Sequence, residues 1–267
     1  MRIVSTALFA LSLLNIATQS AIAAECSSKS GASTVPLLEL YTSEGCSSCP
    51  PADKWLSNLK QDSSQLIPLA FHVDYWDTIG GENGGWKDKF SSAEYSARQR
   101  KIAAFNSAGF VYTPQFVMNG RDFKGWDNSR LNSTIESSQK SVSRANLSLH
   151  AATQANGEIT LTVDAQAVRP SDIKHSDVFV AIYENKLASK VKAGENNGRE
   201  LKHDYVVREF FGAYQIKNKN AFSKNFTIRP DLKNRGYQLE NMGAVVFVQN
   251  SQNGEILQSL ALKFCNS

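Results

Sequence analysis

Residues 38–55 read LELYTSEGCSSCPPADKW. An apolar run closes in a polar turn, Cys46 and Cys49 stand two residues apart, and two prolines follow. Ala52, Trp55, Leu56 and Leu59 then recur at helical spacing. The pattern is a buried strand, a Cys-x-x-Cys and a helix. Pro50 or Pro51 suits the first helical turn, where backbone N–H groups have no intrahelical partner to lose. Three chemistries share such a pair: thiol–disulfide exchange, half of a metal site, and a small structural disulfide. The compartment and the surrounding residues decide among them.

Working outward, VPLLELYT (35–42) reads as the first buried strand and LIPLAFHVDYW (66–76) as a second, with Pro68 marking its start or an irregularity. Residues 77–90 are glycine-rich and form a long loop. Ser91 or Ser92 caps a helix running to about Asn106, with Tyr95, Ile102 and Phe105 on one side. TPQFVMNGRDFKGW (113–126) holds two short strands around an Asn119-Gly120 hairpin signal, with Pro114 directly before the first. Asp127 or Asn128 caps a last helix carrying Leu131, Ile135 and Val142. The order is β-α-β-α-β-β-α. From about residue 145 short alternating runs take over, among them NLSLHAA, EITLTVDAQ, DVFVAIYEN and AVVFVQN. Asn156-Gly157, Asn197-Gly198 and Asn253-Gly254 separate them. Seven or eight strands in roughly 120 residues suggest a β-sandwich.

The chain opens with Arg2, an apolar stretch from Ala7 to Ala17, and a small-x-small site at Ala21-Ile22-Ala23. That is the layout of a secretory leader, with an apolar stretch too short to span a bilayer. Periplasmic or secreted localisation follows as an expectation. Removing residues 1–23 lowers the basic count from 29 to 28 against 25 acids, a mildly basic balance without clusters, so no nucleic-acid partner is expected. The expected organisation is a leader (1–23), an N-terminal linker (24–34), an α/β domain (35–143) and an all-β, sandwich-like domain (144–267). All four cysteines, Cys26, Cys46, Cys49 and Cys265, lie beyond the leader, and an oxidising compartment permits two disulfides.

The element order, the Cys-x-x-Cys between first strand and first helix, and a proline before the third strand together resemble a thioredoxin-like domain. Over both halves, ELYTSEGCSSCPPAD, PLAFHVDYWD, ARQR, VYTPQFVMNG and GENNGRELKHDYVVR are similar to the secreted family of unknown function DUF1223. The resemblance implies a thioredoxin-like fold with an appended β domain and supplies no substrate. It further implies that Pro114 is cis and exposes the backbone of Thr113 to an extended peptide. The thioredoxin resemblance also places Glu39 close to where thioredoxins keep a buried acid beneath the active site, at a spacing to Cys46 one residue longer.

A thiolate is the attacking species, and a free cysteine with pKa near 8.5 is only about 3 % ionised at neutral pH. Cys46 precedes the helix, whose unpaired N–H groups favour negative charge, so Cys46 is the expected nucleophile and Cys49 the resolving thiol. This reading requires the Cys46 sulfur to lie exposed at the helix mouth, opposite Pro114. Pro50 disfavours helical geometry at Cys49, which moves the helix start away from Cys46. Trp76 and Trp86 are candidates for an apolar lip that grips a peptide; a passive insertion fits the same loop. His72 and Asp74 either line the site or form a satisfied polar pair at a strand end. Residues 194–210 either form a solvated hairpin or dock near the cysteines. Cys26 and Cys265 are expected to form a structural disulfide. No cofactor is expected. No metal set is expected either, because His72, His150, His175 and His203 are scattered and no spacing completes four ligands. The leading expectation is an exported thiol–disulfide oxidoreductase acting on protein thiols or a redox partner protein. The alternatives are a redox-inert scaffold with a static disulfide and, more remotely, a copper- or zinc-binding protein.

Overall fold

Residues 24–29 of the segment expected as a linker belong to a strand in the computed structural model, which describes residues 22–79, 84–126, 130–216, 221–229 and 236–265. The expected leader lies outside these residues except for Ile22 and Ala23, which begin that strand; Asp127 and Asn128, the expected helix cap, lie outside them too. The chain runs through β1 (Ile22–Lys29), β2 (Leu37–Thr42), α1 (Pro50–Ser57), β3 (Ile67–His72), α2 (Ala93–Phe105), β4 (Gln115–Met118), β5 (Arg121–Asp122) and α3 (Arg130–Gln139). It continues through β6 (Ala145–Gln154), β7 (Ile159–Ala167), α4 (Pro170–Ile173), β8 (Ser176–Glu184), β9 (Leu187–Lys190), β10 (Glu200–His203) and β11 (Val206–Gln215). β12 (Ala221–Ile228), β13 (Met242–Asn250) and β14 (Ile256–Lys263) complete it.

Two sheets carry the mass. An eight-stranded sheet has the order β14-β13-β8-β11-β3-β2-β4-β5, and a four-stranded sheet has the order β1-β6-β7-β12. The large sheet crosses the boundary expected at 143/144: β11 lies parallel to β3 through Val206 and Ala70, and Ala70 N–H donates to the Tyr205 carbonyl at 2.8 Å. β1 pairs antiparallel with β6, which brings Cys26 beside the end of β14, and Cys26 and Cys265 form a disulfide.

Alternation along β2 assigns its two faces. Leu38 and Leu40 pack with Ala52 and Leu56 of α1, Leu131 and Ile135 of α3, and Phe116 of β4. Leu37 and Tyr41 face the opposite way, into a core with Tyr95 and Ile102 of α2 and with Phe179 and Phe247 of the other half. The reverse face of β8, β13 and β14 closes against the four-stranded sheet through Val180, Ile182, Val246, Leu149 and Val163. Two helices thus cover one face of the β3-β2-β4 segment and one covers the other. Ser92 caps α2, accepting from Glu94 N–H at 3.2 Å, and Asn119 and Gly120, with φ of 50° and 80°, turn β4 into β5. Val142, expected on the last helix, lies beyond α3 and is exposed. No helix among the described residues is long and apolar enough to cross a membrane.

Glu39 points into the α2 core, where Arg98 binds it through Nε at 2.7 Å and Nη2 at 2.8 Å, and where the Tyr41 hydroxyl donates to it at 2.7 Å. The guanidinium carbon lies 4.9–5.7 Å from the ring centroids of Phe71, Phe179, Phe210 and Phe247. A buried ion pair contributes little over an apolar pair of the same volume, but removing one partner strands a buried charge. Arg98→Met is expected to cost about 3–5 kcal/mol in urea unfolding, and the Glu39→Gln/Arg98→Met double variant distinctly less. A double variant as unstable as the single one would contradict this account.

Candidate functional site

The cysteine loop leaves β2 at its C-terminal end. Cys46 N–H bonds the Ser43 carbonyl at 3.2 Å, Cys49 N–H bonds the Cys46 carbonyl at 3.2 Å, and Cys46 and Cys49 are disulfide-bonded. α1 starts at Pro50 with Cys49 as its N-cap, so the nearest helical residue is four positions beyond Cys46. Two prolines in the first turn remove two of the free N–H groups that would favour a thiolate. Tyr41 pairs with Gln115 across the antiparallel β2–β4 ladder, which puts Thr113 and Pro114 at this same sheet end. The Thr113–Pro114 peptide is cis. Trp76 Nε1–H donates to Thr113 Oγ1 at 2.6 Å. Gly45 sits against the same tryptophan: a Cβ there would approach the Trp76 carbonyl oxygen to 3.1 Å.

Both cysteines are fully buried, against the expectation of an exposed Cys46. The cover comes from the other half of the chain. β9 and β10 form a hairpin, and its connecting loop lies on the cysteine loop. Asn196, itself buried, donates through Nδ2 to the carbonyls of Glu44 and Cys46, both at 2.9 Å. Arg199 Nη1 holds the Asn196 amide oxygen at 2.8 Å, and Glu195 Oε2 accepts from Ser47 N–H at 2.9 Å. Gly194 has φ +69°, and a Cβ there would stand 3.2 Å from Trp86 Cβ. The motif-like stretch 194–210 therefore docks, and it does so as part of a hairpin.

Beneath the cover lies a polar cluster closed to solvent. His72 Nδ1 is 2.6 Å from Asp88 Oδ2, which also accepts from Glu44 N–H at 2.9 Å; Asp88 Oδ1 accepts from Phe90 N–H at 2.9 Å. His203 lies between two carboxylates, Nε2 at 3.4 Å from Glu44 Oε1 and Nδ1 at 3.5 Å from Asp53 Oδ1. Thr42 Oγ1–H donates to Asp53 Oδ2 at 2.8 Å, and Trp86 Nε1–H to Glu44 Oε2 at 2.7 Å. The rings of His72 and His203 meet edge to face, 4.9 Å between centroids. Burial opposes charge on His203, but Asp53 and Glu44 beside it win, and its pKa is pushed up to about 10. Burial raises Glu44, yet the neighbouring His203 brings it net below the usual carboxylate range; for Asp88 burial is likewise outweighed, by His72.

The residues singled out from sequence divide accordingly. Cys46, Cys49, Thr113, Pro114 and Trp76 gather at one sheet end. Glu39 does not join them: strand alternation turns it to the face opposite α1, where Arg98 binds it. Trp86 braces Glu44 and packs on Gly194, so it belongs to the cover. Asp74 bonds Ser96, apart from His72, whose partner is Asp88. Asp53, Glu44, Asp88, Asn196 and His203 are the members that the sequence reading did not bring to the site. Asp53 and Glu44 flank the cysteines within the opening motif, and Asn196 and His203 belong to the GENNGRELKH run. The signal was present in both segments, and what was missing was their contact.

The model of a family described as a protein of unknown function, DUF1223, matches residues 37–249. A search of curated proteins finds no match. Among solved structures, the chain is similar to a protein from Agrobacterium tumefaciens at TM-score 0.61 and 22 % identity, covering 88 % of this chain and 96 % of that one. It is also similar to HBP35 of Porphyromonas gingivalis at TM-score 0.60 and 15 % identity, covering 88 % and 76 % respectively. Identities this low speak for the fold alone.

If the Asn196 clamp limits access to the sulfurs, removing its two buried hydrogen bonds lowers the cost of opening by about 2 kcal/mol, or roughly 30-fold. Asn196→Ala is expected to speed reduction of the Cys46–Cys49 disulfide by a small-molecule dithiol by about that factor, read by alkylation and mass spectrometry. An unchanged rate would show that the loop does not control access.

Proposed function

The chain belongs to the DUF1223 family of unknown function, and from that premise we propose that it is an exported thiol–disulfide exchange protein acting on protein thiols. The observation that carries the reading is the Cys46–Cys49 disulfide at the mouth of α1, on the sheet end where the Thr113–Pro114 strand begins. Support for a thioredoxin-like unit over residues 35–143 comes from the β-α-β-α-β-β-α order, with α1 and α3 on one sheet face and α2 on the other. The strands after residue 144 act as the sandwich-like part that carries the covering loop.

The exchange runs in two steps. A substrate thiolate attacks Cys46 Sγ, the Cys46–Cys49 bond breaks, and Cys49 leaves as a thiolate that takes up a proton. The second substrate thiol then displaces Cys46 from the mixed disulfide, so the substrate becomes oxidised and both cysteines are reduced. The reverse sequence reduces a substrate disulfide. Either direction needs the Glu195–Asn196 loop to lift from Ser47 and Cys46. A peptide would then lie along Thr113, beside a groove of about 380 Å³ lined by Phe110, Tyr112, Pro114 and Trp126. With Glu39 committed to Arg98, the acid–base group nearest Cys49 along the chain is Asp53, one turn further along α1, and His203 lies beside it in space.

Full burial of both cysteines favours a second reading, in which the disulfide is static and the protein is a scaffold. A redox titration read by alkylation separates the two. Exchange predicts a transition between roughly −120 and −270 mV and a mixed disulfide trapped by Cys49→Ala. A pair that stays oxidised below about −300 mV, with nothing trapped, establishes the static reading.

A further inference from the structure

We propose that Asp53, His72 and His203 form a binding site for a divalent transition-metal ion, with Asp88 and Glu44 orienting the two imidazoles. The inference goes beyond the exchange reading and does not rest on it. The three residues come from α1, the end of β3 and the end of β10, and one ligand atom from each lies within 4.8 Å of the other two. All three are buried.

The hydrogen-bond pattern assigns the atoms. Asp88 engages His72 Nδ1, which leaves Nε2 as the free lone pair, and that buried atom has no hydrogen-bond partner. Thr42 holds Asp53 Oδ2, which leaves Oδ1. His203 Nδ1 lies 3.5 Å from that oxygen, and it, His203 Nε2 and Glu44 Oε1 are buried in long ion-pair contacts with no hydrogen bond of ordinary length. Buried polar atoms nearly always make hydrogen bonds, so four buried atoms that make none, on three neighbouring side chains, point to a ligand. The spacing is informative. At 3.4 and 3.5 Å the contacts of His203 exceed the usual range of about 2.7–3.2 Å for an N–H···O bond. Two donors about 2.0–2.2 Å from one tetrahedral ion stand roughly 3.3–3.5 Å apart, which suits Nδ1 and Asp53 Oδ1 as co-ligands.

On that assignment the ion displaces the proton that His203 Nδ1 carries toward Asp53 in the metal-free cluster and releases it to solvent; each imidazole then coordinates through one nitrogen and turns the other toward a carboxylate: Asp88 for His72, Glu44 for His203. Such outer carboxylates fix the tautomer and raise ligand basicity. Asp88 and Glu44 are themselves held, by two backbone N–H groups and by Trp86 respectively. Two imidazoles and one carboxylate select zinc and its first-row neighbours over calcium or magnesium, which take oxygen ligands. Three protein ligands leave coordination positions for solvent or a further ligand. The cysteine sulfurs are not among the grouped atoms.

The test uses the oxidised full-length protein, stripped with a chelator and titrated with zinc against a chromophoric competitor. One equivalent bound, with a rise in Tm, is expected, and cobalt(II) in place of zinc should give the visible d–d bands of an N/O site. Asp53→Asn, nearly isosteric and able to keep the Thr42 contact, should weaken binding at least 10-fold, and Asp88→Asn by about 10–100-fold. Cys46→Ser/Cys49→Ser should bind undiminished. Wild-type protein that takes up neither metal, or Asp53→Asn and Asp88→Asn variants that fold by circular dichroism and bind like wild type, would overturn the proposal.

Discussion

The parallel contact of β11 with β3, made through Val206 and Ala70 and the Ala70–Tyr205 hydrogen bond, holds the two halves in one sheet. Everything distinctive about the candidate site follows from it. His203 stands three residues before Val206, and the loop carrying Glu195 and Asn196 stands just before that. Fixing β11 against β3 therefore brings a histidine under the Cys46–Cys49 loop and a polar cover over it. Without that junction, α1 and its disulfide would present an open surface, and Asp53 would have no imidazole beside it.

The large sheet also divides the polar groups between its faces. Glu39 and Thr42 lie three residues apart on β2, and alternation sends them to opposite sides. Glu39 meets Arg98 among four phenylalanines, where each charge is compensated and the pair contributes to a unique core arrangement. Thr42 meets Asp53 beneath the cysteines, in a cluster where several buried atoms lack hydrogen bonds. A saturated polar group organises a core, whereas an unsaturated one marks a place where chemistry or binding is to be sought.

The cover is polar rather than apolar. Asn196 donates to two carbonyls and Glu195 accepts one backbone N–H, bonds that water can replace when the loop lifts. Burial of the sulfurs in the closed arrangement and exchange chemistry after opening are therefore compatible on physical grounds.

Local residue chemistry made much of the chain legible in advance. The Cys-x-x-Cys ahead of an apolar helical stripe, the Ser92 cap, the Asn119-Gly120 turn and the alternating strands after residue 145 each depend on neighbours within a few positions. Belonging to DUF1223 was legible as well, because its motifs are runs of consecutive residues. Three things were decided only in the folded chain: the strand made by residues 22–29, the face of β2 to which Glu39 turns, and the meeting of Asp53 and His72 with His203. Each depends on pairing between segments far apart in sequence, and neither spacing nor propensity encodes such a register. Sequence supplied the side chains of the site, and the β11–β3 junction supplied their proximity.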